Sequence, residues 1–181
     1  SPSGRYLALT KFPQEKRLPE PGAEAGIFLI DLKTGEDQII AETRGWDTQL
    51  GAQVQWGKDD SQLFFNDINL NNWQPFGIKM DPVTGKKKKL EGTVYMVSSN
   101  GEYALSSDLT RMGLTQAGYG VIVPDSAVTK NSGAPADDGV YITNTRTGKR
   151  KLLISIKEIV EKAGPVLADL KNAAGGYYGF H

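Results

Sequence analysis

Gly26-Ile27-Phe28-Leu29-Ile30-Asp31-Leu32-Lys33-Thr34-Gly35 decides the reading of this chain, because it recurs. The second copy is Gly77-Ile78-Lys79-Met80-Asp81-Pro82-Val83-Thr84-Gly85, and the third is Gly139-Val140-Tyr141-Ile142-Thr143-Asn144-Thr145-Arg146-Thr147-Gly148. In each, β-formers supply a strand, an Asp or Asn three residues before Thr-Gly starts a turn, and Gly takes a positive-φ position. A further strand follows each turn, at 38–41, 87–90 and 151–154.

Upstream of each hairpin lies a polar turn and a short strand. The copies are Ser1-Pro2-Ser3-Gly4 before Tyr6-Leu7-Ala8-Leu9, Gly57-Lys58-Asp59-Asp60-Ser61 before Leu63-Phe64-Phe65, and Ser98-Ser99-Asn100-Gly101 before Tyr103-Ala104-Leu105. Ahead of the second and third turns stand strands at 53–56 and 94–97. The Thr-Gly turns are 50 and then 63 residues apart, counted from Thr34 to Thr84 to Thr147. Four strands per unit at about 40–50 residues is the period of a propeller blade. The expected fold is therefore all-β: a β-propeller fragment of about three four-stranded blades with a short C-terminal helix. The blades fall at 1–50, 51–92 and 93–164, the third carrying an inserted loop at 109–138. Residues 165–181 read as the start of a further blade.

Ser155-Ile156-Lys157-Glu158 is a capping box, and Ile156, Ile159, Val160 and Ala163 share one helical face, so a helix is expected over 156–163 before Gly164-Pro165. Three blades are fewer than the roughly four to eight that close a ring. The arc is thus expected to expose apolar faces, and to be part of a larger ring or to self-associate.

The run Ser1-Pro2-Ser3-Gly4-Arg5-Tyr6-Leu7-Ala8 resembles the Ser-Pro-Asp-Gly-x-x-Leu-Ala core of TolB-type, WD-repeat-like propeller blades, and the Asp-x-x-Thr-Gly turn belongs to the same pattern. The resemblance covers about 1–154. It departs from the pattern at 56–60, which lacks Ser-Pro, and at 98–101, where Ser replaces Pro. The run 94–120, through Tyr95, Val97, Asn100-Gly101-Glu102-Tyr103, Asp108, Arg111 and Gly118-Tyr119-Gly120, is similar to a group of uncharacterised bacterial propellers associated with polysaccharide metabolism. That similarity implies a carbohydrate ligand and a periplasmic or secreted setting.

Composition narrows the classes. Lys+Arg and Asp+Glu both number 21, which removes the electrostatic footprint of a nucleic-acid binder. Cysteine is absent, so disulfides and Cys-ligated metal or haem sites are excluded. No apolar run reaches the roughly 18–20 residues of a membrane span. His181 is the single histidine. It cannot by itself build a multi-histidine metal site, nor is a Ser–His arrangement supported. No catalytic residue, metal site or cofactor is expected.

The ligand-binding candidates lie in loops. Arg111 offers a planar fork of donors for an anion or sugar acid, with Asp108 at i−3 to orient it. Tyr119, between two glycines, offers a face for stacking. In the second unit the loop 67–75 carries Asn69, Asn71 and Asn72, with Asn66 just before it, and Trp73. Amides and an indole are the groups a sugar site uses, although Asn is also the default turn residue and Trp a default core residue. Loop 13–22 reads as a solvated excursion, Trp56 as core, and Trp46 as packing. The paired acids Asp59-Asp60 and Asp137-Asp138 read as turn formers, and 86–89 as a lysine-protected outer strand.

The favoured function is a non-enzymatic binding module that holds a small ligand, of carbohydrate type, or a protein partner on the loop face. One alternative is an oligosaccharide-processing enzyme, of lyase or hydrolase type, with its active site mainly in other blades. The other is a protein–protein scaffold.

Overall fold

The computed structural model describes residues 1–13, 18–128 and 133–163. Part of loop 13–22, the end of the helix at Gly164-Pro165, the expected further blade at 165–181, and His181 lie outside them.

Three antiparallel meanders follow one another along the chain. The first is β1 (Tyr6–Lys11), β2 (Ala25–Asp31) and β3 (Asp37–Thr43). The second is β4 (Gln55–Trp56), β5 (Leu63–Asn69), β6 (Gln74–Met80) and β7 (Lys87–Lys89). The third is β8 (Met96–Val97), β9 (Tyr103–Ser106), β10 (Gly139–Asn144) and β11 (Arg150–Ser155). Strand order in each sheet is sequence order, as in a propeller blade. The first sheet has three strands and the other two have four each. Within the third blade's insertion lie a one-turn helix, α1 (Met112–Thr115), and a 3₁₀ turn (Asp125–Ala127). Helix α2 (Ile156–Ala163) follows β11 directly. Ser155 Oγ accepts from the Glu158 N–H at 3.1 Å, and Glu158 Oε2 accepts from the Ser155 N–H at 2.8 Å, which closes the capping box.

The three hairpin turns are built alike. Gly35, Gly85 and Gly148 have φ of 76°, 73° and 85° and donate to the carbonyls of Asp31, Asp81 and Asn144 at 2.8, 2.9 and 2.7 Å. The side-chain oxygens of those residues accept from N–H groups inside the turn. A non-glycine residue at that φ would carry a Cβ penalty of about 1 kcal/mol or more.

Packing follows from the period of two. Sheet 2 lies between sheets 1 and 3, so Leu63, Phe64, Phe65 and Asn66 of β5 are all buried. Leu63 and Phe65 join Ile27, Ala41 and Ala52 on the sheet 1 side, with Trp46, and Phe64 joins Leu90, Val94 and Ala104 on the sheet 3 side. Trp46 is core, and its indole N–H donates to Ala23 O at 2.7 Å. Trp56 is half-buried and stacks on Tyr6.

Polar side chains join the blades where apolar contact ends. Asn66, wholly buried, accepts from the Val94 N–H and donates to Val94 O, both at 2.7 Å. Gln55 makes the same kind of clamp further along, donating to Tyr95 O at 2.7 Å and accepting from the Val97 N–H at 3.1 Å. The two amides replace the ladder that adjacent blades cannot form with each other. The outer sheets each leave one apolar face open. Leu7, paired with Ile30, and Ile39, paired with Phe28, stand on one, 45% and 52% exposed; Met96, 63% exposed and paired with Leu105, stands on the other.

Two expectations are corrected. The second unit's loop is residues 70–73, not 67–75, because Asp67, Ile68 and Asn69 pair with Phe76, Pro75 and Gln74 and extend both strands. Asn66 is therefore a core residue rather than part of a polar loop.

Candidate functional site

Strand register places the ends of each blade. Tyr6 lies opposite Asp31, so the turns 1–4 and 31–35 share one end of sheet 1, while Lys11 opposite Gly26 puts the loop 12–24 at the other. The same holds in sheets 2 and 3, so the described residues of the loops 12–24, 70–73 and 107–138, with the connection 44–54, form one loop face. All six candidate residues lie there.

Loop 70–73 is a tight hairpin. Asn72 N–H donates to Asn69 O at 3.3 Å, and Asn69 and Asn72 side chains accept from the N–H groups of Asn71 and Gln74. Asn71 and Asn72 are exposed. Trp73 closes the loop at φ 55°, a left-handed conformation costly for a bulky residue. Its ring is half-buried on a cluster formed by Ile68 of β5 with Leu109, Met112, Val121 and Val123 of the third blade's insertion. Tyr119 packs, half-buried, on the same cluster. The insertion thus has a core of its own and lies over the tip of the second blade.

Arg111 is turned inward. It is 3% exposed and forms an ion pair with Asp138. Asp138 Oδ1 also accepts from the Tyr141 hydroxyl at 3.0 Å. The pair joins the outgoing and returning ends of the insertion to β10. Asp108 is not the carboxylate that pairs with Arg111, because its Oδ1 is taken by the Thr110 N–H and hydroxyl at 2.9 and 2.7 Å. The reach from 111 to 138 spans the whole insertion, while Asp108 is held by its own turn. Asp138 is therefore an ion-pair partner rather than only a turn former. Burial pushes the Tyr141 phenol up.

Asp47, in the connection 44–54, was not singled out by the sequence, although Asp47-Thr48-Gln49-Leu50-Gly51 has the form of an Asp-started turn. It is 3% exposed. Oδ1 accepts from the N–H groups of Gln49 and Leu50 at 2.9 and 2.5 Å, and Oδ2 from that of Gly120 at 2.9 Å. Thr48 Oγ1 donates to Gly118 O at 3.1 Å. The glycines on either side of Tyr119 are thus anchored to the connection between blades 1 and 2.

Similarity to known proteins is sparse. No family model matches the chain, and no curated protein matches it. Among solved structures the chain is similar to an oligogalacturonate lyase in complex with manganese, at 13% identity and a TM-score of 0.35, over 75% of this chain and 43% of that one.

Burial pushes the Asp47 carboxyl above the usual carboxylate range, and the Leu50, Gln49 and Gly120 N–H groups pull it back. A folded-state value above the unfolded one means a contribution to stability that is full below about pH 3.9 and lost as pH rises through the folded value. Asp47→Asn does not titrate. The stability of the parent chain relative to Asp47→Asn, followed by urea unfolding, should therefore fall as pH rises from about 3.9 through the raised folded value, and the Gly120 amide should exchange faster in the variant. A relative stability that rises with pH would show that the three N–H donors outweigh burial.

Proposed function

We propose that the chain is part of a non-enzymatic propeller binding module whose loop face holds a small ligand of carbohydrate type. One observation carries this reading: Trp73 and Tyr119, from loops of different blades, meet half-buried on one apolar cluster beside the exposed amides of Asn71 and Asn72. Half-exposed aromatic faces stack on apolar C–H surfaces, and amides hydrogen-bond hydroxyls in both directions. The strained φ of Trp73 supports a role at this position, since the conformation suits glycine better. Arg111 and Asp108 then act as positioning residues, the first through Asp138 and the second through its own turn. Asp47, with both oxygens held by backbone donors, also holds the loops rather than exchanging protons with a ligand.

Titration with a panel of neutral and acidic oligosaccharides, followed by tryptophan fluorescence, tests the reading. A saturable change is expected, weakened about tenfold by Asn71→Ala/Asn72→Ala, since each hydrogen bond is worth about 0.5–1.5 kcal/mol. Binding should be lost in Trp73→Gly, measured by isothermal titration because this variant lacks the reporting indole, with urea unfolding to separate loss of stacking from loss of the ring's packing on the cluster. No change with any sugar would return Trp73 and Tyr119 to packing alone.

A further inference from the structure

The opposite end of the blades carries a charge pattern unlike the rest of the chain. A groove of about 410 Å³ runs between sheets 2 and 3, lined by Lys58, Lys79 and Arg146. A second depression, of about 250 Å³, shares Lys79 and Arg146 with it and adds Lys86, Lys87 and Lys88. None of these six cations forms an ion pair among the described residues. The acidic residues in the two linings are Glu102 and Asp81, and both are engaged. Glu102 accepts from the Asn100 amide at 3.0 Å, and Asp81 from N–H groups of its own turn.

The crowding has electrostatic consequences. Lys79 is half-buried, with its ammonium over the Phe64 ring. Burial lowers its affinity for a proton, and Lys58 and Lys88 lower it further against the pull of Asp59. Lys88 Nζ donates to Arg146 O, which holds the outer strand of one blade against the turn of the next. Lysines on an outer strand discourage edge pairing, but that role accounts for 86–89 alone. It does not account for Lys58, Lys79 and Arg146, which come from other elements and converge on the same cleft. Cations held this close repel one another unless an anion lies between them.

We infer that the cleft between the second and third blades, on the face away from the aromatic loops, binds a small multivalent oxyanion of the phosphate type. Ammonium groups act as point charges on such a ligand and the Arg146 guanidinium as a two-toothed donor. Isothermal titration of the 181-residue chain with pyrophosphate tests this at low and at 0.15 M salt. The expected result is saturable binding of one pyrophosphate per chain, weaker at the higher salt. Lys58→Glu/Arg146→Glu should weaken it at least tenfold, while Lys33→Glu, an exposed lysine on the first blade's turn at the same end, should stay within twofold. If the double reversal fails to fold, as judged by urea unfolding, Lys58→Gln/Arg146→Gln takes its place with the same expectation. Unsaturable binding, equal losses in Lys33→Glu, or binding unaffected by the paired variants would overturn the assignment.

Discussion

Phe65→Ala is expected to destabilise the chain by about 4 kcal/mol, the scale of removing a fully buried aromatic ring from a core. Phe65 is 0% exposed and belongs to the cluster between sheets 1 and 2, with Ile27, Leu63 and Trp46 around it. The ring fills a space bounded by two sheets that cannot close on each other when it is removed, because strand pairing holds each sheet's spacing. The midpoint of urea unfolding measures the loss. Leu7→Ala, on the open face of sheet 1, supplies the comparison and should cost less than about 1 kcal/mol. Near-equal effects at the two positions would mean that sheets 1 and 2 do not pack through β5.

Asn66→Ala is the second large effect, about 3 kcal/mol. The amide makes two hydrogen bonds to the Val94 backbone, and its loss leaves a buried N–H and a buried carbonyl with no partner. Asn66→Asp separates the two bonds. A carboxylate still accepts from the Val94 N–H but faces the Val94 carbonyl with like polarity. Protonation restores a donor, so the folded state of this variant should raise the new carboxyl above its unfolded value. Its stability relative to the parent chain should then improve as pH falls through that raised value toward about 3.9. The same pH series on Asn66→Ala should be flat relative to the parent. A difference of less than about 1 kcal/mol in Asn66→Ala would show that the blades are held by apolar contact alone.

The binding face and the cationic cleft lie at opposite ends of the same blades, so they can be tested separately. Trp73→Gly alters the first and leaves the lysines in place. Lys58→Glu/Arg146→Glu alters the second and leaves the aromatic cluster intact. The blade joints between them, the Asn66 and Gln55 clamps and the Phe64 contact, set the positions of both.

By itself the sequence determined what is decided within a few residues. The three Asp/Asn-x-x-Thr-Gly turns, the repeated strands and the Ser155–Glu158 capping box are local chemistry, and the structure forms hairpins and a helix where they stand. Only the tertiary structure decided which surfaces meet. Periodicity marks Phe64 and Phe65 as strand residues facing opposite ways, but not which sheet lies on each side. Nor does it show that strand pairing would carry β5 and β6 through Asp67 and Pro75, or that Asn66 would cap another blade's backbone. Arg111 meets Asp138 across 27 residues, Asp47 meets Gly120 across 73, and Lys88 meets Arg146 across 58. Such partners are selected by the packing of whole blades, and no spacing of residues along the chain records them, because the charge and hydrogen-bonding capacity of a side chain specify the kind of partner it needs and not its address.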